Sequence, residues 1–500
     1  MRRRGSIALL ACSLAATGVA LVPGTAAAAP AIDWQPCPDV EEVDCATIEV
    51  PLDWARPDGE KIRIGLARRP AQDPSARIGS ILMDPGGPGG SGVEVVKRTD
   101  VFTEAVNARF DQVGFDPRGI GTSAQLRCDA ELARRSDEAK HPTNQAEFDQ
   151  LARINRALHD SCRANSGGLA DHVDNLATAR DMDAIRAALG EEKLTYVGYS
   201  YGTLMGQQYA ELFPHRIRAL VMDGNMDHSL RTAWEFVRSE TAPVEQGFVE
   251  FADWCDTTPS CALHGADTRA VYADLKRRAR AGTLTDENGK PIDFHDLASS
   301  TFGVMQPGAW GDIATYFADL RDGAATRTVA ALSEDIRNVP YPSIWCSDWR
   351  YRVSNHADYQ SLRDKLGQEF PNVEWSPYVD HVMTCVGSGT ETTNPQRRLD
   401  IDDAPPLVMI GNVHDPATVY EWNLTAAHQS GARLITYEGW GHTAYGNGGP
   451  SDCVNRAVDD YLIDLRPPRW GLRCLATEVP GSGATSTRLT RPQVVGPYQG

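Results

Sequence analysis

The stretch from 194 to 212 constrains the fold more than any other. Residues 194–197 form a short apolar run, Gly198-Tyr199-Ser200-Tyr201-Gly202 follows directly, and a stretch with helical spacing runs from 201 to 212 before Phe213-Pro214. This order predicts a buried strand, a tight turn and a helix. Ile81-Leu82-Met83 repeats the opening of the pattern and is stopped by Pro85-Gly86-Gly87-Pro88-Gly89-Gly90, and 110–115 ends in Asp116-Pro117-Arg118-Gly119. A helix is predicted over 176–189, a strand over 217–222, further strands over 407–410 and 433–437, and a last helix over 454–465. Strands alternating with helices give an α/β fold, with a mostly parallel sheet covered by helices on both faces.

Between Gly224 and Pro405 lie about 180 residues, far more than a strand-helix-strand crossover needs. A large insertion is therefore predicted, mainly helical by pattern and rich in Trp and Tyr. Its expected place is over the carboxyl ends of the strands, where open α/β sheets hold their ligands. The predicted division is 1–29 as a signal segment, 30–228 as the first part of the core, 229–404 as the inserted cap and 405–500 as the rest of the core.

Residues 1–29 read as an export signal: Arg2-Arg3-Arg4, an apolar stretch from about Ile7 to Val22, and the small-residue end Thr25-Ala26-Ala27-Ala28-Ala29. No other segment approaches the length of a membrane span, so a secreted protein without stable membrane association is expected. Removing those three arginines takes the formal charge from −18 to −21, and a body that acidic disfavours nucleic-acid partners. Of 11 cysteines, Cys12 leaves with the signal, and the even remainder in an exported chain predicts disulfides. Consecutive pairing closes the shortest loops: Cys37 with Cys45, Cys128 with Cys162, Cys255 with Cys261, Cys346 with Cys385, and Cys453 with Cys474. No Cys-x-x-Cys or His-Glu-x-x-His accompanies them, and no metal or organic cofactor is implied.

A serine on a strand-to-helix turn exposes its hydroxyl beside the N–H groups of a helix N-terminus, which makes Ser200 the candidate nucleophile. A serine needs a base and an orienting carboxylate, and in this strand order both come later in the chain. Asp415 follows the strand at 407–410 and His442 follows the strand at 433–437. His414 competes as the base, but it directly precedes Asp415 and points away from it. The backbone N–H of Tyr201 is one expected oxyanion donor. The early glycine turn supplies the other, Gly87 first and Gly86 next, because Pro88 has no N–H. Asp116 and Arg118 are expected to brace the sheet rim.

Taken together, Asp84-Pro85-Gly86-Gly87-Pro88-Gly89-Gly90-Ser91-Gly92, Gly114-Phe115-Asp116-Pro117-Arg118-Gly119, Gly198-Tyr199-Ser200-Tyr201-Gly202-Thr203, Asp415 and His442 resemble the secreted tripeptidyl aminopeptidase branch of the α/β-hydrolase fold, related to prolyl aminopeptidases. The resemblance spans roughly 34–474. It implies an exported serine peptidase that releases short peptides from free N-termini, with Ser200, Asp415 and His442 as its triad. The chain departs from the family pattern at Asp84, where Asn is common, and at Val419, where Pro often stands. A substrate with a protonated amine calls for carboxylates near the cleft, and Glu235 and Glu240, with Glu245 and Glu250 beyond them on a predicted cap helix, are the candidates. The alternatives are a secreted carboxylesterase using the same triad and an inactive hydrolase fold that serves as a binding protein.

Overall fold

The computed structural model describes residues 32–286, 288–323 and 336–481, so the expected signal segment lies outside the described residues. Twelve strands occur among them: β1 (Gln35–Cys37), β2 (Val40–Pro51), β3 (Lys61–Arg69), β4 (Gly79–Asp84), β5 (Phe110–Phe115), β6 (Arg127–Asp129), β7 (Leu194–Tyr199), β8 (Ile217–Asp223), β9 (Ile336–Asn338), β10 (Val408–His414), β11 (Arg433–Trp440) and β12 (Leu472–Cys474). Ten form one sheet in the order β1-β2-β3-β5-β4-β7-β8-β10-β11-β12, while β6 and β9 pair as a separate ribbon. From β5 to β12 all pairs are parallel, and β1, β2, β3 and β5 pair antiparallel along one edge.

The central strands are buried along their whole length, and their side chains divide by the two-residue period of a strand. Ile81, Met83, Val197, Val221 and Ile410 join one cluster, under the helices Gly92–Arg98 and Asp452–Asp464. Leu82, Tyr196, Leu220, Met222 and Met409 join the other, under Asn175–Ala188, Gly202–Leu212 and Tyr420–Ser430. Helices thus cover both faces. The chain leaves β4 for β5 on one side and returns to β7 on the other. The sheet order therefore reverses at β4 and β7, and a crevice opens beyond their carboxyl ends.

Between β8 and β10 the chain is mainly helical, including Ala233–Thr257, Thr268–Arg280, Phe294–Thr301, Trp310–Asp322, Tyr341–Asp348, His356–Glu369 and Asp380–Thr384. This segment does not build an isolated core. Its Phe236, Val244, Phe248 and Trp345 belong to the same hydrophobic cluster as Leu220 and Met409 of the sheet. Phe236 stacks on Trp422 of the helix Tyr420–Ser430, and the Trp422 indole N–H donates to Ser239 Oγ at 3.0 Å.

Five disulfides join Cys37 to Cys45, Cys128 to Cys162, Cys255 to Cys261, Cys346 to Cys385, and Cys453 to Cys474. Among the described residues no helix is long and apolar enough to cross a membrane.

Candidate active site

Ser200 directly follows β7 with φ = 54°, in the left-handed region that a residue with a side chain rarely adopts. Backbone bonds hold it there: its N–H donates to Asp223 O at 2.9 Å, and its carbonyl accepts from Thr203 N at 2.9 Å and from Thr203 Oγ1 at 2.6 Å. The glycine loop after β4 lies against this turn. A Cβ on Gly86 would stand 2.5 Å from Tyr199 O and 2.7 Å from Tyr201 N, an approach that only glycine allows. Asp84 anchors the loop by accepting the Gly86 N–H at 2.8 Å. Its burial pushes the carboxyl well above the usual range, with Asp116 adding to the effect. The side-chain oxygen of an Asn would offer the Gly86 N–H the same acceptor.

Asp415 is fully buried after β10. Its Oδ1 accepts the N–H groups of Ala417 and Thr418 at 2.8 and 3.0 Å, and its Oδ2 accepts from Thr418 Oγ1 at 3.0 Å. Both carboxylate oxygens lie 2.9 Å from His442 Nδ1. The loop that carries His442 is clamped on both sides. Asn412 Nδ2 donates to Gly441 O at 2.7 Å and Thr443 O at 3.1 Å, and the Asp223 carboxylate accepts from Ala444 N and Tyr445 N at 2.8 Å each. Gly224 leaves room for the imidazole: a Cβ there would stand 3.1 Å from His442 Cε1 and 2.7 Å from Thr418 Oγ1. His414 takes another direction, stacked on Trp440 with ring centroids 4.0 Å apart.

A cavity opens at this turn, with Gly87, Ser200 and Tyr201 on its wall together with Met226 and Ala417. The segment between β8 and β10 supplies the rest: Phe236, Glu240, Trp345, Tyr378 and His381. The cavity is tight, about 20 Å³, room for one water-sized molecule. Glu240 is 1% exposed, and Oε2 of its carboxyl has no hydrogen-bond partner. Burial, and then the charge of Asp415, raises that carboxyl well above its ordinary value.

Glu235 does not line this cavity. This residue is exposed at the start of the helix Ala233–Thr257, where its Oε2 accepts the N–H groups of Arg231 and Thr232 in a capping box, outside the cavity. Glu245 holds Asn372 and Val373, and Glu250 accepts from Gln246. Asp116 is held by Ser91, Val93 and Thr122. Arg118 forms a buried bidentate pair with Asp181 and also donates to Pro51 O, Leu52 O and His172 O. Asp223, Asn412 and His381 were not foreseen as site residues. Of these only Asn412 carried a local signal, standing in the turn-forming run Gly411-Asn412-Val413-His414-Asp415.

Residues 79–449 match the family model described as alpha/beta hydrolase fold. The tripeptidyl aminopeptidase of Streptomyces lividans is 30% identical, over 93% of this chain and 90% of that protein. Serine protease Hip1 of Mycobacterium tuberculosis is 29% identical, over 89% of this chain and 91% of that protein. Carboxylesterase B of the same species is 29% identical, over 91% of this chain and 92% of that protein. With the sheet order, the strand-turn-helix at Ser200 and these similarities in hand, the chain belongs to the alpha/beta hydrolase fold family, in the branch of the tripeptidyl aminopeptidases, and is a tripeptidyl aminopeptidase-like serine hydrolase.

Proposed function

We propose that the protein is an exported serine exopeptidase that releases short peptides, tripeptides foremost, from the free N-termini of peptide substrates. Ser200 Oγ attacks the scissile carbonyl while His442 takes its proton, and Asp415 holds the imidazole tautomer and stabilises its cation. With Nδ1 directed at Asp415, Nε2 is the ring nitrogen that receives the proton and returns it to the leaving amine. The N–H groups of Tyr201 and Gly87 receive the oxyanion. Water activated by the same base then releases the acyl group and restores Ser200. Residues 229–404 act as the cap over this centre. Residues 1–29 act as the export signal, and five disulfides suit the oxidising compartment that export reaches.

The observation that carries the exopeptidase reading is Glu240 in the same cavity as Ser200. A buried carboxyl without a partner cation is costly when charged, and an entering ammonium supplies the missing charge. The names of the Streptomyces and Hip1 relatives support the same reading. The test compares a free-amino tripeptidyl anilide with its N-acetylated counterpart, and the free substrate is expected to be cleaved far faster. Equal rates would overturn the exopeptidase reading. Mass spectrometry of the products from a free-amino peptide ladder then gives the number of residues released.

A carboxylesterase reading draws on the aromatic part of the cavity wall and on the relative named carboxylesterase B. Efficient turnover of short-chain aryl esters with none of the peptidyl anilides would favour it.

A further inference from the structure

His381 lies in the helix Asp380–Thr384 and lines the cavity that holds Ser200 and Glu240. It is 5% exposed, and neither Nδ1 nor Nε2 has a hydrogen-bond partner. Its surroundings are aromatic. The rings of Trp345, Tyr378, Tyr341 and Phe236 have centroids 4.7, 5.0, 5.4 and 6.1 Å from the imidazole. A phenyl ring would fill such a nest without two unpaired nitrogens, so packing alone does not account for histidine here. Burial also lowers the imidazole to about 3, an effect to which Lys140 adds. It is therefore neutral at working pH, with one ring nitrogen a donor and the other an acceptor.

The cavity wall has further polar atoms left unpaired. Glu240 Oε2 is an acceptor, and the indole N–H of Trp345 is a donor. The N-terminal unit of a peptide carries the complementary set: an ammonium, a carbonyl oxygen and an amide N–H. On the reading that Glu240 takes the ammonium, the groups remaining to be matched are those of the first peptide bond.

We propose that His381 is a substrate-binding residue that pairs through a ring nitrogen with the first peptide bond of the substrate, donating to the carbonyl oxygen of its N-terminal residue. This inference rests on the exopeptidase reading, and an aryl ester, which has no such peptide unit, separates the two. The wild-type protein is first tested on a free-amino tripeptidyl anilide and on p-nitrophenyl butyrate. Turnover of the ester without the anilide would overturn the exopeptidase reading, and the assignment of His381 with it. With the anilide cleaved, His381→Phe and His381→Gln are compared with wild type by kcat/KM on both substrates. The anilide-to-ester ratio is expected to fall about 10- to 100-fold in His381→Phe, through KM, with part of the loss restored in His381→Gln, which keeps a donor and an acceptor. Should His381→Phe fail to accumulate as folded protein, His381→Met answers the same question. An unchanged ratio, whether both activities hold or both fall together, would overturn the assignment while leaving the exopeptidase reading intact.

Discussion

Asp223 is bonded to Ser200 through the main chain and to the His442 loop through its side chain. Its carbonyl accepts the Ser200 N–H at 2.9 Å, and its carboxylate accepts the N–H groups of Ala444 and Tyr445 at 2.8 Å each. One residue at the end of β8 thus ties together the turn of Ser200 and the loop of His442. Burial raises this carboxyl from its ordinary 3.8 to about 6, although the Tyr445 and Ala444 N–H groups pull the other way. Between those values the folded chain holds a proton that the unfolded chain has released, so this group's contribution to stability declines as pH rises through about 6. Asp223→Asn keeps an acceptor and removes the titration. Its unfolding free energy relative to wild type is expected to rise by up to about 3 kcal/mol from pH 4 to pH 7. Denaturant unfolding of both proteins across that range measures it, and a difference independent of pH refutes it.

Ser200→Ala and His442→Ala are each expected to lower kcat by at least about 10⁴-fold. Asp415→Asn should cost a similar factor, about 10⁴, by releasing the wrong tautomer of His442. Its remaining Oδ1 still accepts the Ala417 and Thr418 N–H groups, so thermal unfolding should move little. Anilide hydrolysis beside a melting curve reads both. Wild-type turnover in Ser200→Ala would remove the triad assignment altogether.

Glu240→Gln replaces a buried carboxyl by its uncharged isostere. Selectivity for free-amino over N-acetylated tripeptidyl anilide should fall by about 10- to 100-fold, while stability holds or increases. The ratio of the two kcat/KM values is the measurement, and an unaltered preference would show that the ammonium binds elsewhere.

Asp84→Asn tests whether this buried carboxyl acts as a neutral group. Because burial raises this carboxyl above its ordinary value, its ionisation works against folding as pH rises, and the variant should be at least as stable as wild type above neutral pH. Turnover should stay within about threefold. A large loss of activity would mean that the charge at Asp84 is used.

The sheet and the places of Ser200, Asp415 and His442 after its strands were legible because each depended on a local contrast. The run at 110–115 has the bounds of β5, and the strand, turn and helix around Ser200 follow one another with no intervening loop. Other elements gave no such contrast. β2 is a strand whose acidic Glu41, Glu42 and Glu49 face solvent near the sheet edge, and an apolar-run criterion passes over it. β10 and β11 run on to His414 and Trp440 because Gly411 and Asn412 pair with Thr436 and Tyr437, polar residues that read as loop in isolation. Glu235 and Glu240 are five residues apart, roughly 140° around a helix, so one helix could not direct both at the same cavity. Thr232 with Glu235 is itself a capping-box spacing, and this local signal separates the two. His381 had none: its place beside Ser200 depends on how the segment between β8 and β10 folds back over the rim, which no short window of sequence contains.

The tightness of the cleft bears on how a substrate enters. A space for one water-sized molecule cannot admit three residues of peptide. Its walls come from two stretches of chain, Gly87, Ser200 and Tyr201 from the sheet rim and Glu240, Trp345 and His381 from the helices laid over it. On the proposed exopeptidase reading, a chain end meets Ser200 where these two sets of walls approach each other, and the opening between the helices and the rim governs which substrates reach it.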